Sequence, residues 1–137
     1  MLFRSAKERG ALALGVVNVV GSSISRETDA GVYLHVGPEI GVASTKAFIG
    51  QVTVLTLLAL YVGKRRFLGD EVMRSYLAEL ERIPQYIRQV TEQSDHIRAC
   101  AERYVDRHNW LYLGRGYNYP VAVEGALKLK EIGRAHV

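Results

Sequence analysis

The sequence predicts an α/β protein whose parallel, doubly wound sheet is flanked by helices. The apolar run 11–20 has β-branched residues late in it, which is typical of a strand buried on both faces. The run 31–36 predicts a second strand and the run 109–113 a third, with segments of helical spacing between them. We therefore expect parts of two α/β units joined by a helical connector.

The first half of the chain supplies the elements of the first unit. Residues 6–10 are predicted to end a helix at Gly10, and residues 25–29 are polar and turn-like. Ser44 or Thr45 can cap a helix that runs to about Arg65, and its apolar surface predicts that it is largely buried. Its apolar run, 48–62, is shorter than the ~20 residues that span a bilayer, so a core helix is favoured over a membrane anchor.

The connector and the last helix follow. Asp70 can cap a helix whose apolar residues recur at helical spacing, and Pro84 is predicted to kink or interrupt it. A further helix is predicted from about Gln93 to Asp106. Pro120 suits the first turn of the last helix, because its missing N–H would have no partner there.

Composition excludes several classes of function. The net charge of +4 is mild and its cations are scattered, which argues against a nucleic-acid surface. Cys100 is the only cysteine, so an internal disulfide and a cysteine-cluster zinc site are excluded, and a reducing cytoplasm is expected. His35 is interpreted as an ordinary strand histidine, since no second metal ligand is suitably spaced. Residues 1–5 lack the apolar core of a secretory signal.

Two stretches carry candidate chemistry. Glu124, Lys128 and Glu131 lie at i, i+4 and i+7 and therefore project from one helix face. By spacing alone, a solvated face with an ordinary ion pair is the favoured interpretation. The segment Gly21-Ser22-Ser23 ends the first strand, and ligands of open α/β sheets bind at that edge. The alternative is an ordinary loop in which the serines are turn or cap residues.

The chain carries two long motifs. The stretch 113–131 reads LGRGYNYPVAVEGALKLKE, and residues 18–48 include GPEIGVASTKAF. Both motifs resemble the isomerase half of the glutamine:fructose-6-phosphate aminotransferase family, and the first departs from the family pattern only at Val123, where leucine is common. The resemblance covers residues 6–131 and implies the sugar-isomerase (SIS) fold.

The resemblance also implies roles for individual residues. Glu131 corresponds to the carboxylate that moves a proton between C1 and C2 of the sugar, and Lys128 to a lysine that orients it or stabilises developing charge. Glu124 is expected to orient Lys128 without being catalytic. Val19 corresponds to a residue whose backbone touches the sugar, and Ser22 is expected to replace a contacting serine, because this chain has Gly21 there.

The implied enzyme converts fructose 6-phosphate and glutamine-derived ammonia to glucosamine 6-phosphate, with no metal or other cofactor. A glutaminase domain of the same parent chain, a homodimer and a cytoplasmic location are implied, without nucleic acid or membrane. The phosphate loop, ring-opening histidine and imine-forming lysine of the family are expected outside this chain. The chain alone is therefore expected to be inactive.

Three further expectations complete the interpretation. The domains are residues 6–67, the connector 68–108 and residues 109–132. Residues 1–5 and 133–137 resemble translated sequencing-library adapters and are expected to be non-native, so His136 is given no role. The alternatives are a non-catalytic sugar-phosphate-binding regulator of the same fold and a nucleotide-binding module. The latter is weak because Gly114-Arg115-Gly116 lacks a third glycine.

Overall fold

The computed structural model describes residues 2–40 and 43–134, which form two compact units, Met1–Met73 and Arg74–Val137. The helices are α1 (Leu2–Glu8), α2 (Ser23–Glu27), α3 (Thr45–Arg66), α4 (Asp70–Thr91), α5 (Ser94–Glu102) and α6 (Asn118–Arg134). The strands are β1 (Leu14–Val17) and β2 (Ala30–Tyr33). Met1 and residues 135–137 of the predicted non-native ends, His136 included, lie outside the described residues. The predicted division at residues 67 and 108 stays a prediction.

The first unit is built on a parallel pair of strands, as predicted. Leu14 pairs with Ala30 and Val17 with Tyr33, and the amide of Leu34 donates to the carbonyl of Val17 at 2.9 Å. Both strands are shorter than the runs 11–20 and 31–36, because side chains and turns take over the backbone hydrogen bonds beyond them. The carboxyl ends of both strands lie at one edge of the sheet.

Close approach of the two strands explains a glycine in each. A Cβ on Gly31 would lie 2.2 Å from the carbonyl oxygen of Gly15, far inside van der Waals contact. A Cβ on Gly15 would lie 2.8 Å from the hydroxyl of Thr28. Glycine at position 31 therefore lets β1 and β2 pair. Glycine at position 15 leaves room for the side chain of Thr28, which lies just before β2.

The prediction of a turn at residues 25–29 was wrong, because residues 23–27 form the short helix α2. Ser22 begins it by accepting a hydrogen bond from the amide of Ser25 at 3.2 Å. The guanidinium of Arg4 holds Glu27 at 2.5 Å, which ties α1 to α2. The local cap and this distant partner together outweigh the weak helical propensity of the segment.

Helix α3 begins and ends close to the predicted residues. Ser44 caps it by accepting from the amide of Ala47 at 3.0 Å. The prediction that α3 is largely buried was wrong, since Leu60 and Gly63 are its only buried members. Its 22 residues also pass a length and hydropathy test for a membrane span, so the length argument does not hold. One face, with Val54, Leu57 and Leu58, borders an apolar cavity of about 410 Å³ against β1 and β2, as in a core helix.

The second unit is helical. Helix α4 begins at Asp70 and runs through Pro84, so the predicted interruption was wrong, while the predicted kink stays a prediction. Helix α5 ends at Glu102, four residues before the predicted end. The predicted strand 109–113 was wrong: it has no strand partner among the described residues and stays irregular. A strand needs a neighbour for its backbone hydrogen bonds, and this segment has none there.

The turn before α6 is set by glycines. Gly116 has φ +57°, a conformation that favours glycine, and a Cβ on Gly114 would lie 2.3 Å from the carbonyl of Asn118. Pro120 is the third residue of α6, so its predicted place in the first turn is confirmed. The ring of Tyr112 packs beside Gly125, where a Cβ would lie 3.2 Å from it. This contact holds the segment before the turn against the helix.

Candidate functional site

The residues predicted to meet the sugar lie at the carboxyl edge of the parallel strands. Val19 follows the end of β1 by two residues, and its side chain is 65% exposed. Its carbonyl accepts from the amide of Ser22 at 3.3 Å, which closes a turn over residues 19–22. Gly21 has φ +72°, as the third residue of a type II turn requires. The structure thus brings Val19 and Ser22 together in one turn, where open α/β sheets bind ligands.

Ser22 has a structural task in this turn. Its hydroxyl accepts from the amide of Ser25, and its carbonyl accepts from the hydroxyl of Ser25 at 2.8 Å. The hydroxyl of serine keeps its own O–H as a donor when it accepts. Ser22 can therefore cap α2 and still offer a hydrogen to a sugar oxygen.

The turn after β2 lies at the same edge and is held by charged side chains. Glu39 accepts from the hydroxyl of Ser44 and, at 3.1 Å, from the amide of Thr45. The hydrogen bond from Ser44 is the main cause that lowers the pKa of Glu39, although burial opposes it. The ammonium of Lys46 donates to the carbonyl of Pro38 at 2.9 Å. Glu39 therefore stays ionised and fastens the turn to the start of α3.

In the second unit, α6 presents the predicted Glu/Lys/Glu face. Nζ of Lys128 lies 2.9 Å from Oε1 of Glu124, and the two side chains are 28% and 24% exposed. Nζ itself is shielded from solvent, and its angle to Glu124 is outside hydrogen-bond geometry. We therefore describe the contact as an ion pair. The expectation that Glu124 holds Lys128 agrees with this pair, which is more shielded than a typical surface ion pair.

Glu131 lies one turn beyond Lys128 on the same face and is partly exposed. Among the described residues, no ion pair involves its carboxylate. A partly exposed carboxylate on a helix can accept a proton from a bound molecule and return it. The face carrying Val19 and Ser22 and the face carrying Glu131 belong to different units, and each is described by itself.

Sequence reasoning missed the residue that joins the two turns of the first unit. The side-chain amide of Asn18 donates through Nδ2 to the carbonyl of Gly37 at 2.8 Å. Its Oδ1 accepts from the backbone amide of Val36 at 3.1 Å. A polar amide directly after a buried strand was the signal that could have identified it. Its partners lie 18 and 19 residues away, which spacing along the chain does not reveal.

Comparisons with known proteins show which family the chain resembles. The model of the SIS domain family matches residues 1–61. The chain is 53% identical over 133 residues to the glutamine–fructose-6-phosphate aminotransferase of Chlorobaculum tepidum, covering 97% of this chain and 22% of the relative. It is 46% identical over 136 residues to isoform 1 of the rat enzyme, covering 99% of this chain and 20% of the relative.

A solved structure is similar over nearly the whole chain. It is the C-terminal domain of glucosamine-fructose-6-phosphate aminotransferase from Francisella tularensis, with a TM-score of 0.88 and 37% identity. The match covers 94% of this chain and 37% of that domain. These matches confirm the resemblance read from the two motifs and the α/β fold of the SIS type. The chain spans 22% of the length of its Chlorobaculum relative.

Proposed function

Because the chain belongs to the glutamine–fructose-6-phosphate aminotransferase family, we propose that it is part of an isomerase domain that forms glucosamine 6-phosphate. The substrates of the parent protein are fructose 6-phosphate and ammonia released from glutamine. Glu131 is the proton-transferring base and Lys128 its neighbouring cation. The chain alone is inactive, because it spans only 22% of a relative's length.

The face of α6 is the observation that supports the proposal. Lys128 is kept in place by Glu124 at 2.9 Å, with its nitrogen shielded from solvent. This leaves Glu131 as the carboxylate of that face without an ion pair to the described residues. A carboxylate that is not held in an ion pair can accept a proton from a carbon atom next to a carbonyl and return it. A non-catalytic sugar-phosphate-binding regulator would not require it.

The chemistry assigns one step to Glu131. After ammonia adds at C2 and water leaves, C2 carries an imine that is protonated on nitrogen. The C1–H bond breaks, its electron pair forms a C1–C2 double bond, and the π pair of the C2–N double bond moves onto the nitrogen, which becomes an amine. Glu131 takes that proton and then delivers a proton to C2, which regenerates the carboxylate. The hydroxyl on C1 gives its own proton to water as C1 becomes the aldehyde carbonyl. The positive charge of Lys128 stabilises the negative charge that develops on the C1 oxygen as its hydroxyl loses the proton.

The turn after β1 supplies the substrate contacts. The backbone of Val19 and the O–H of Ser22 bind oxygen atoms of the sugar. This assignment is supported by their place at the carboxyl edge of the strands and by the turn that joins them. Both contacts act on the open-chain sugar before and after proton transfer, so they contribute to binding more than to the chemical step.

The surroundings of the domain are proposed from the same relationship. The parent protein contains a glutaminase domain, forms a homodimer and works in the cytoplasm. It uses no metal or other cofactor and binds neither nucleic acid nor membrane. Helix α3 has the length and hydropathy of a membrane span, but its apolar face borders the strands of the first unit. We therefore assign α3 to the core of the parent domain.

A chimera tests the function directly. Residues 6–131 of this chain replace the matching segment of the Chlorobaculum tepidum relative, and formation of glucosamine 6-phosphate is measured. The chimera is expected to be active. Glu131→Gln should lower kcat by about a hundredfold or more, because general acid–base transfer is lost.

Two further variants are compared with Glu131→Gln, one as a control and one to test the partner of Lys128. Glu81→Gln makes the same change on an exposed position of α4 and should leave kcat unchanged. Glu124→Gln removes the partner of Lys128 and should lower kcat by about tenfold, a smaller loss than that of Glu131→Gln. An active chimera whose Glu131→Gln variant keeps full activity would rule out Glu131 as the base.

A further inference from the structure

We infer that Asn18 is a positioning residue: its amide holds the turn after β1 against the turn after β2 and so fixes the backbone of residues 19–22 for the sugar phosphate. The inference rests on the proposed function, which assigns Val19 and Ser22 to the substrate. Asn18 itself is not assigned any contact with substrate. It acts through the residue that follows it.

The geometry requires an amide at this position. Nδ2 donates to the carbonyl of Gly37 at 2.8 Å, and Oδ1 accepts from the amide of Val36 at 3.1 Å. A carboxylate would place an acceptor against the carbonyl of Gly37. An apolar side chain would leave both peptide groups without this partner. Asparagine supplies one donor and one acceptor at the right reach, and turning the amide over would lose both bonds.

The segment that Asn18 holds contains a strained residue, His35. His35 has φ +52°, a left-handed conformation that is uncommon outside glycine, and Gly37 has φ +76°. The two hydrogen bonds of Asn18 fall on Val36, between these residues, and on Gly37 itself. Strained backbone persists only where neighbouring groups fix it, and it is concentrated at functional sites. Asn18 is one of the groups that fix it here.

The same residue reaches the substrate turn through the chain. Asn18 precedes Val19 directly, and the carbonyl of Val19 closes the turn by accepting from Ser22. When the side chain of Asn18 is anchored, the start of that turn is anchored too. Without the anchor the turn samples more conformations, and substrate must order it on binding. That cost applies equally to bound substrate and transition state, so it raises KM and leaves kcat unchanged.

The test is Asn18→Asp in the active chimera described above. The carboxylate keeps an acceptor for Val36 and loses the donor to Gly37. We expect KM for fructose 6-phosphate to rise about three- to tenfold, while kcat stays within about twofold. Asn109→Asp makes the same change at an exposed position of the second unit and should alter neither constant.

The outcomes separate the two proposals. Unchanged KM in Asn18→Asp, or a fall in kcat at unchanged KM, overturns the positioning role while the proposed function stands. A wild-type chimera without activity overturns the proposed function and this inference with it. If Asn18→Asp does not fold, Asn18→Ser is measured in its place, since its hydroxyl keeps one donor and one acceptor, and the same split between KM and kcat decides.

Discussion

At the scale of single residues, Asp29 shows how one carboxylate joins separate segments of the first unit. It accepts from the amide of Ala13 at 2.8 Å and pairs with the ammonium of Lys7 at 2.8 Å. The amide of Asp29 in turn donates to the carbonyl of Ala13 at 2.9 Å. These contacts extend the pairing of β1 and β2 by one residue and connect it to α1.

The charge of Asp29 makes this connection sensitive to acid. The hydrogen bond from Lys7 is the main cause that lowers its pKa, and the amide of Ala13 adds to it. A lowered folded-state pKa means that the stabilisation is complete above the ordinary value of about 4 and is lost as the pH falls through the folded value. Glu27 behaves in the same way, chiefly because Arg4 donates to it.

Amide hydrogen exchange in the chimera measures the effect locally. Corrected for intrinsic rates, protection of the amide of Ala13 should fall as the pH drops from about 5 to about 3. Asp29→Asn keeps an acceptor but cannot titrate, so its protection should change little over that range. Equal acid dependence in wild type and Asp29→Asn would contradict the assignment, and Asp106→Asn serves as a control for an exposed aspartate.

At the scale of elements, helix α3 depends on its cap. Ser44→Ala removes the acceptor for the amide of Ala47 and the donor to Glu39, which should cost about 1 kcal/mol. Exchange of the amides of Ala47 and Phe48 in the chimera should accelerate about fivefold. Thr56→Ala removes a hydroxyl that only binds the carbonyl of Val52 within the helix, and it should leave these amides unchanged. No acceleration in Ser44→Ala would show that the cap is dispensable.

Elements with local signals could be predicted from the sequence. The beginning of α3 at its serine cap, the place of Pro120 and the shared face of Glu124 and Lys128 all depend on residues within one or two turns. The strand predicted at 109–113 failed because a strand needs a neighbour that the segment does not supply. The prediction that α3 is buried failed for the same reason. An apolar pattern predicts that a helix face needs a neighbour, but it does not show which element packs against that face.

The candidate site also has features that could be predicted from the sequence and features that could not. The Glu/Lys/Glu face could be predicted, because helical spacing places its members on one side. The link from Asn18 to Val36 and Gly37 could not, because it joins segments that meet only when the two strands pair. The position after the first strand already indicated Ser22, whereas only the motif match indicated Val19 and a contact with a sugar.

At the scale of the whole chain, the balance of buried and exposed apolar surface is unusual. Leu60, which is 7% exposed, is the one large hydrophobic residue that is buried among the described residues. Leu111, Leu113, Tyr117 and Phe67 are each more than 80% exposed. A chain with so little buried apolar surface gains little free energy from folding. Its exposed apolar groups favour association.

The chain by itself is therefore expected to be marginally stable and to associate. Size-exclusion chromatography with light scattering should show species larger than the 15.3 kDa monomer. A dye that binds apolar surface should fluoresce strongly. The chimera, in which the relative supplies the neighbouring segments, should bind far less dye per molecule. A monomeric isolated chain with a sharp thermal transition and no dye binding would contradict this expectation.

The central claim is that Glu131 moves the proton between C1 and C2, and isotope transfer tests it most directly. Fructose 6-phosphate deuterated at C1 is given to the chimera with glutamine, and the fate of the deuterium is followed by NMR. We predict that deuterium leaves C1 and appears at C2 of glucosamine 6-phosphate or in water, and that Glu131→Gln stops this loss while Glu81→Gln does not. Loss of deuterium from C1 at the wild-type rate in Glu131→Gln would contradict the claim.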